Sequence, residues 1–312
     1  MTNTIVRRKP SFFQNIWKYR MFYLLALPGL LYLLVFHYGS IAGILMAFKN
    51  FKPMQGFAGI FTGEWVGLKY FEQFFKSAYA GRVIGNTVWI FILRLVWGFP
   101  APILLALLLN EVQNLRYKKL VQTISYFPHF VSYVVVLAVV RQLFNADGGY
   151  INAIIESMGG DAIPFLSDSR YFRSLLVGSG VWKGIGWSSI IYLAAITGID
   201  TQLYEAAEID GANRIQRVWH ITLPGMAPVI AIQLILRMGQ IMSAGFDQTL
   251  LFYSPAVYDV GDIIDTYVYR MGLGSMKYSL ATAVGLFKSV VGLIFVLGSN
   301  YVARIIGQEG IW

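Results

Sequence analysis

Cysteine is absent from this 312-residue chain, and histidine and charged residues are scarce. Without cysteine there is no disulfide framework, no thiol chemistry and no cysteine-based metal site. The three histidines, His37, His129 and His220, are scattered without ligand spacing, so we expect no metal site. Charged residues make up 13% of the chain, against roughly 25% in soluble domains. The composition is therefore unlike that of an ordinary soluble domain.

The motifs of nucleotide chemistry and of hydrolysis are also missing. The sequence contains no GxxxxGK[ST] phosphate-binding loop. It contains no nucleophile elbow and no carboxylate pair on a soluble domain. The glycine-containing stretches GGDAIPF and GLGSM are typical of turns. We therefore expect a non-catalytic chain that binds no cofactor and does not itself hydrolyse ATP.

Long hydrophobic runs dominate what is present. Hydrophobic residues make up 56% of the chain, and the mean hydropathy is +0.57. A helix needs about 20 apolar residues to cross a bilayer, and six stretches are that long. The sequence therefore predicts an all-α polytopic membrane protein with six spans, at residues 22–46, 83–109, 120–144, 172–197, 226–246 and 280–303.

These spans define the predicted organisation. Residues 1–21 form an N-terminal segment in which aromatics mix with Lys18 and Arg20, as in an interfacial helix. Residues 22–304 form the six-helix domain, with a polar loop at 198–226, and residues 305–312 form a tail. The formal net charge of +9 is typical of Lys and Arg that flank spans and contact membrane lipid, and we expect no nucleic-acid partner. The positive-inside rule slightly favours a cytoplasmic N-terminus.

The polar loop between the fourth and fifth spans reads YEAAEIDGANRIQRVWHITLP. Asp200 and Thr201 are favourable helix N-caps, and Gly211 can adopt the positive φ that ends a helix. Asp210 or Asn213 can then begin a second helix. Its apolar face would contain Ala212, Ile215, Val218 and Trp219. Such a hairpin either docks a soluble partner or rests on lipid headgroups as a simple connector.

The spacing of this loop resembles the EAA motif of permease subunits of binding-protein-dependent ABC importers. The matching positions are Glu205, Ala206, Ala207, Gly211, Ile221, Leu223 and Pro224. The sequences IDGA and ITLP resemble the sugar-importing branch of that family. IAGILMAFKNFKPMQG and WVGLKYFEQFF are similar to permeases for complex oligosaccharides and polysaccharide fragments.

The resemblance implies a MetI-like importer core whose EAA hairpin is cytoplasmic, with both termini cytoplasmic, in a bacterial inner membrane. The implied partners are a homologous second permease, two ATP-binding subunits that hold ATP and Mg²⁺, and an extracellular or periplasmic solute-binding protein. Glu205 would be the polar anchor on the ATPase, and Ala206 and Ala207 would allow close approach. Gly211 would make the turn. The motif residues that would tie the hairpin to the fifth span are Ile221, Leu223 and Pro224.

Cations occur inside the predicted spans, where charge is costly and usually functional. Arg94, Lys183 and Arg237 lie well inside spans two, four and five, Lys288 lies in span six, and Arg141 lies near the end of span three. The spans contain no Asp or Glu, so we expect no acidic partner at equal depth. Three interpretations stay open. The cations pair with a second subunit's carboxylates or with carbonyls at a helix break, they line a wet path for an anionic cargo, or they snorkel.

Several other residues are candidates for contact with cargo. Trp182, Trp187 and Tyr192 surround Lys183 in the sequence and could stack on sugar rings, although membrane anchoring is the alternative. Asp247 and Gln248, after the fifth span, correspond to sugar contacts through the resemblance alone. The cations favour an acidic cargo, such as a uronate oligosaccharide of the alginate or pectin type.

The leading hypothesis is therefore a permease subunit that forms half of the translocation pathway of an ATP-driven oligosaccharide importer. A stand-alone secondary sugar transporter or channel is the main alternative, with the polar hairpin as a mere connector. A membrane-embedded enzyme is a third. An enzyme would need clustered His, Asp or Glu in the spans, and the predicted spans carry no acids.

Overall fold

The computed structural model describes residues 17–307, 310 and 311. Most of the described residues are helical, and they include one short antiparallel pair, β1 (Lys49–Asn50) with β2 (Glu64–Trp65), in which Lys49 faces Trp65. The predicted interfacial segment lies outside the described residues up to residue 16. The same is true of residues 308, 309 and 312 of the predicted tail.

The helices of the first half are α1 (Arg20–Tyr32), α2 (Gly39–Ile41), α3 (Gly59–Thr62), α4 (Lys69–Phe75), α5 (Ala80–Gly98), α6 (Pro100–Glu111), α7 (Leu115–Phe130), α8 (Tyr133–Phe144) and α9 (Tyr150–Ser157). Those of the second half are α10 (Ser169–Thr197), α11 (Thr201–Ile209), α12 (Arg214–Arg217), α13 (Leu223–Met238), α14 (Phe246–Phe252), α15 (Tyr258–Gly261), α16 (Ile264–Tyr269) and α17 (Tyr278–Ile305). Helical turns of 3₁₀ or π type link some of them, at Leu33–Tyr38, Ala42–Phe48, Pro53–Ala58, Val218–Thr222, Pro255–Val257 and Arg270–Gly274.

Four helical stretches of the described chain are long and apolar enough to cross a membrane: Arg20–Phe48, Ala80–Glu111, Arg214–Met238 and Tyr278–Ile305. The predicted spans 22–46, 83–109 and 280–303 lie inside three of them. The predicted fourth span, 172–197, lies inside α10, which is 29 residues long. In the first of the four, only 6% of the most apolar window is buried, although its last turn packs into the fold at Ala47.

The third predicted span, 120–144, is wrong as one straight helix. The structure breaks it into α7 and α8, which meet at an angle of 106°. Val131 and Ser132 are extended, and the Ser132 hydroxyl accepts a hydrogen bond from the Val135 amide, which caps α8. The sequence pattern concealed this break because apolar residues continue on both sides of the serine.

The fifth predicted span, 226–246, has the wrong boundaries. Its helix begins at Arg214, passes through Pro224 without a break and ends at Met238. The chain then turns through residues 239–245 and reaches a left-handed conformation at Gly245, with φ of 73°. A Cβ on Gly239 would lie 2.5 Å from Val296 Cγ2, and one on Gly292 would lie 2.8 Å from the Gly239 carbonyl oxygen. The turn therefore depends on close packing of glycines against α17.

Helix α10 is the central packing element of the described chain. Its buried residues join two apolar clusters, one around Phe172 and Leu176 with Val136 of α8, the other around Tyr192 and Ile196 with Met226 of α13. Within a bilayer, where lipid tails are as apolar as these side chains, close van der Waals packing rather than removal of apolar surface from water stabilises the arrangement. A third cluster, which includes Phe74, Val83 and Val284, joins α4, α5 and α17.

The contact between α10 and α7 is closest at Gly186. A Cβ on Gly186 would lie 2.0 Å from the Ser125 carbonyl oxygen, whereas a Cβ on Gly184 would meet no atom within 4 Å. We therefore expect Gly186→Ala to lower the free energy of unfolding by about 1–3 kcal/mol, the usual cost of overpacking. Thermal unfolding in detergent measures this loss, with Gly184→Ala as the matched control. Equal stability of the two variants would contradict the packing described here.

Candidate functional site

Three cavities that share lining residues lie between α5, α10, α13 and α17. Their volumes are about 380, 500 and 240 Å³. Arg237 lines all three, Arg94 lines the first two, Lys183 lines the first, and Lys288 lines the second. The structure thus brings four of the five cations named in the predicted spans to one place, whereas Arg141 lines a separate cavity. We call the three volumes together the basic cavity.

Arg94 is held by a buried glutamine. Its Nη2 donates to Gln248 Oε1 at 2.6 Å, and Gln248 is 0% exposed. Gln248 Nε2 donates in turn to the Leu176 carbonyl at 2.8 Å and to Ser179 Oγ at 2.9 Å, both on α10. A Cβ on Gly245 would lie 2.1 Å from Arg94 Nη1, so this glycine makes room for the guanidinium. Gln248 links α5, α10 and α14.

Lys183 is bound to the break in the third predicted span. Its Nζ donates to the His129 carbonyl at 2.5 Å and to the Pro128 carbonyl at 3.4 Å. These carbonyls lie at the C-terminal end of α7, where the helix dipole favours a positive charge. The Lys183 ammonium also lies 5.2 Å from the centre of the Tyr133 ring. This geometry corresponds to the interpretation in which a cation meets carbonyls at a helix break.

The expectation that no acid meets these cations is wrong for Lys288. Its Nζ lies 2.5 Å from Asp265 Oδ1, and both residues line the 500 Å³ cavity. Asp265 belongs to α16, in the connection between the fifth and sixth predicted spans. That connection folds back alongside α17, so an acid outside every predicted span reaches a cation inside one. No sequence pattern indicates this ion pair, because the contact is tertiary.

Arg237 differs from the other three cations. Within residues 17–307, 310 and 311, its guanidinium has neither an ion-pair partner nor a side-chain hydrogen bond. Gln233 lies one turn before it and lines the 240 Å³ cavity, and Gln240 lies just after α13 and lines the 500 Å³ cavity. Gln233 and Arg237 are polar residues at i and i+4 on an otherwise apolar helix, and Gln240 follows in the turn after it. The i+4 spacing places Gln233 and Arg237 on one face.

The aromatic candidates are only partly brought together. Trp187 lines the 380 and 240 Å³ cavities and stacks on His129, with ring centres 4.5 Å apart and planes 6° apart. Tyr192 is largely buried and lines the 240 Å³ cavity. Trp182 and Asp247 are exposed and line none of these three cavities, so neither contributes to the basic cavity.

Sequence reasoning missed several residues of the basic cavity. Gln233, Gln240 and Asp265 were not singled out, nor were His129 and Tyr133 as lining residues. The two glutamines had a readable signal, because polar side chains at helical spacing about an intramembrane arginine indicate one wet face. Asp265 had no such signal.

A separate polar network anchors α15 and α16. Asp262 is 0% exposed, and its two carboxylate oxygens accept from Arg270 at 3.1 and 2.8 Å. Thr266 Oγ1 donates to Asp262 Oδ1 at 2.9 Å. Asn86 Nδ2 donates to the Asp262 carbonyl at 3.0 Å, and Arg173 donates to Asn86 Oδ1 at 2.8 Å. The network ties this connection to α5 and α10.

The polar loop forms a hairpin of α11 and the helix that begins at Arg214. Asp200 caps α11 by accepting from the Gln202 amide at 3.0 Å. Gly211 has a φ of 77° and makes the turn. Asn213 caps the next helix through reciprocal bonds with Gln216, at 2.9 and 2.7 Å. Each of these features follows from local residue chemistry.

The outer surface of the hairpin is both polar and apolar. The motif residues Glu205, Ala206, Gly211 and Pro224 are exposed, and Ala207, Ile221 and Leu223 are half-buried. On the predicted apolar face, Ile215 and Trp219 remain 69% and 65% exposed. The two limbs are held together by the Tyr204 and Thr222 hydroxyls, 2.9 Å apart, and by an ion pair of Glu208 with Arg217 at 3.3 Å. The hairpin is preformed, and its apolar face is uncovered in this chain.

Known proteins resemble this chain over most of its length. Residues 98–308 match the family described as "Binding-protein-dependent transport system inner membrane component". Two proteins of Bacillus subtilis (strain 168) are each 47% identical over 290 residues, which is 93% of this chain. They are Protein LplB, with 90% of its length covered, and the polygalacturonan/rhamnogalacturonan transport system permease protein YteP, with 89% covered.

Solved structures of ABC transporters also resemble this chain over most of its length. A chain from the crystal structure of a bacterial ABC transporter involved in the import of the acidic polysaccharide alginate is 40% identical. It superposes with a TM-score of 0.87, covering 95% of this chain and 99% of that one. A chain from the bacterial alginate transporter in complex with an alginate pentasaccharide-bound periplasmic protein gives a TM-score of 0.87 at 39% identity, covering 96% and 99%.

The bond between Arg94 and Gln248 gives a prediction about stability. Gln248→Met removes the acceptor and leaves a largely enclosed guanidinium unpaired, so we expect the free energy of unfolding to fall by about 1.5–3 kcal/mol. Asp247→Asn, at the adjacent exposed position, is the matched control and should have little effect. Thermal unfolding in detergent measures both variants.

A double substitution completes this test. Replacing both partners by apolar groups costs less than replacing one, so Arg94→Met together with Gln248→Met should recover part of the loss. Additive losses would show that the two side chains do not interact as described.

Proposed function

The chain belongs to the binding-protein-dependent transport system inner membrane components, and from this premise we propose that it forms half of the translocation pathway of an ATP-driven importer for an acidic oligosaccharide. As a permease of this family, it is the non-catalytic membrane subunit. The observation that carries the proposal is the basic cavity, in which four cations meet and Arg237 has no partner in the described chain.

The charge of the cavity supports an anionic cargo. Four cations line it and Asp265 is the one acid among the lining residues, which leaves a formal excess of three positive charges. A cation inside a membrane protein is costly unless it is paired or faces water. A cleft of one sign also raises the local concentration of ligands of the opposite sign. Carboxylated sugars fit this potential better than neutral ones.

The names of similar proteins point the same way. One relative is named for polygalacturonan and rhamnogalacturonan transport, and the superposed solved structure belongs to a transporter of the acidic polysaccharide alginate. We propose a uronate oligosaccharide of the alginate or pectin type as the cargo. A binding protein outside the membrane, as in the solved complex, would deliver it.

Within the cavity we assign different roles to the cations. Arg94 donates a hydrogen bond to Gln248, and Lys183 donates to carbonyls at the end of α7. These two cations therefore position helices and supply charge. Arg237 is free to bind a carboxylate in the bidentate manner that a guanidinium favours. Trp187, held flat by His129, offers a face for a sugar ring beside it. Gln233 adds amide groups suited to sugar hydroxyls.

The hairpin is the proposed site of coupling to the ATPase. Its exposed Ile215 and Trp219 and its exposed Glu205 form a surface suited to a groove on a soluble partner. Ala206 and Ala207 allow that partner to approach closely, and Gly211 keeps the turn narrow. Ile221, Leu223 and Pro224 lie in the helix that continues without interruption to Met238, so movement of the hairpin would reach Arg237 through one rigid rod.

The remaining features of the proposal follow from the family. The bent pair α7–α8 and the helix α10 would bring the number of crossing segments to six. The hairpin and both termini would lie in the cytoplasm of a bacterium. A second, homologous permease would complete the pathway, and two ATP-binding subunits would hold ATP and Mg²⁺. A stand-alone secondary transporter is the alternative, and uptake by the reconstituted chain without an ATPase would favour it.

Cargo charge is tested in proteoliposomes that contain the assembled transporter and its binding protein. We expect uronate oligosaccharides to stimulate ATP hydrolysis more than their methyl esters, which keep the sugar but lose the charge. Arg237→Met should raise the half-saturating concentration of the acid roughly tenfold to a hundredfold, because hydrogen bonds to charged groups contribute about 1.5–3 kcal/mol. It should barely affect the ester.

Lys76→Gln is the control for overall charge, since it removes one positive charge from an exposed side chain. Its effect should be small and should vanish at high salt. Equal stimulation of the wild type by acid and ester would contradict the acidic assignment. An unchanged response in Arg237→Met would contradict the role of that residue.

Coupling is tested at the turn of the hairpin. Gly211→Leu places a bulky side chain at a positive φ, and Glu205→Lys reverses the proposed anchor. Both should reduce transport at least tenfold while the protein still inserts and the binding protein still docks. Gly198→Ala is the control for the turn, because Gly198 has a φ of −85°, and Glu156→Lys is the control for charge. Normal transport by both hairpin variants would exclude ATPase docking at this site.

A further inference from the structure

The ion pair of Asp265 with Lys288 is unlike the other ionic contacts of this part of the fold. Both side chains line the cavity that also contains Arg94 and Arg237, and 17% of Asp265 and 25% of Lys288 remain exposed. The carboxylate of Asp265 has a single side-chain partner among the described residues, Lys288. An acidic residue of the chain itself therefore pairs with one of the cations inside an otherwise basic cavity.

Other polar contacts also hold this segment in place. Asp262, three residues earlier, holds the same connection together through Arg270 and Thr266 and joins it to Arg82 of α5, at 3.7 Å. Asn86 adds further bonds to this connection from α5. The Asp262 carboxylate is fully enclosed and bound at several points, whereas the Asp265 carboxylate is partly exposed and bound at one. Loss of the Asp265 contact would leave α16 attached.

We propose that Asp265 is an internal competitor that occupies a second carboxylate-binding position, Lys288, until the cargo displaces it. The inference rests on the proposed function, since it assumes an acidic cargo in this cavity. The carboxylate of one uronate unit of the cargo binds Arg237, and the carboxylate of another unit binds Lys288. No covalent step is involved, because one carboxylate replaces another on the same ammonium group.

The replacement has two consequences. Binding of the cargo is weakened by the fraction of time for which Asp265 occupies Lys288, because affinity scales with the population of the competent state. Binding also removes one contact between α16 and α17. Cargo in the cavity therefore loosens the connection between α14 and α17. A neutral sugar produces neither effect, since it cannot replace Asp265 on the lysine. The pair thus selects for cargo with more than one carboxylate.

The direct test is Asp265→Asn in the assembled transporter, assayed as ATPase stimulation by a uronate trisaccharide and by its methyl ester. If Asp265 holds Lys288 for about nine-tenths of the time, the variant should lower the half-saturating concentration of the acid roughly tenfold. The ester should be unaffected. Adding Lys288→Met should abolish the gain, because the second carboxylate-binding position is then missing. Glu72→Gln, which breaks an exposed Lys–Glu pair, is the matched control.

A second measurement uses the wild type and so does not depend on the folding of a variant. Hydrogen–deuterium exchange of the transporter in nanodiscs should increase in residues 264–274 when the acid is present, and not with the ester. An unchanged half-saturating concentration in Asp265→Asn, or an equal change for acid and ester, would overturn the inference and show that the pair only joins two helices. Unchanged exchange in 264–274 would do the same.

The two proposals fail in different ways. If the wild type does not distinguish acid from ester, the acidic cargo is wrong and this inference falls with it. If the wild type prefers the acid and Asp265→Asn responds like the wild type, the acidic cargo stands and the internal competitor is rejected.

Discussion

A positive charge inside a membrane segment must be surrounded by polar atoms, an acid or water, and this requirement explains much of the architecture. Burial of an unpaired ion costs several kcal/mol, so each of the four cations needs its own solution. Lys183 binds the carbonyls at the end of α7, Arg94 binds Gln248, and Lys288 binds Asp265. Arg237 has no ion-pair partner and no side-chain hydrogen bond within the described residues, and it faces the basic cavity.

Each solution also shapes the fold around it. The carbonyls that Lys183 binds are available because α7 ends at Phe130 and the chain breaks before α8. Arg94 reaches Gln248 because Gly245 has no side chain in its way. Asp265 reaches Lys288 because the Asp262 network folds the connection back against α5 and α10. The break, the glycine turn and the folded connection are three irregularities, and each places a polar group at a cation. Irregular backbone at membrane depth is tolerated where it is buried in protein or lines a wet cavity.

Local features were readable from the sequence, and tertiary ones were not. Asp200, Gly211 and Asn213 define the hairpin through capping and turn chemistry, and the structure shows all three in those roles. The positions of three predicted spans also follow from hydropathy alone. The break before α8 and the end of α13 at Met238 depend on contacts with other helices. Hydropathy alone therefore predicted continuous helices at both places. Gln248 was selected as a sugar contact and proves to be the partner of Arg94, while Trp182 and Asp247 lie away from the cavity.

The central claim is that Arg237 meets a carboxylate of the cargo within the basic cavity. Cryo-electron microscopy of the assembled transporter in nanodiscs, stalled with a uronate oligosaccharide, tests it most directly. The account predicts oligosaccharide density between α10 and α13, with a carboxylate within hydrogen-bonding distance of the Arg237 guanidinium and a sugar ring against Trp187. Density along another route, with Arg237 bound to a carboxylate of the second permease, would contradict it.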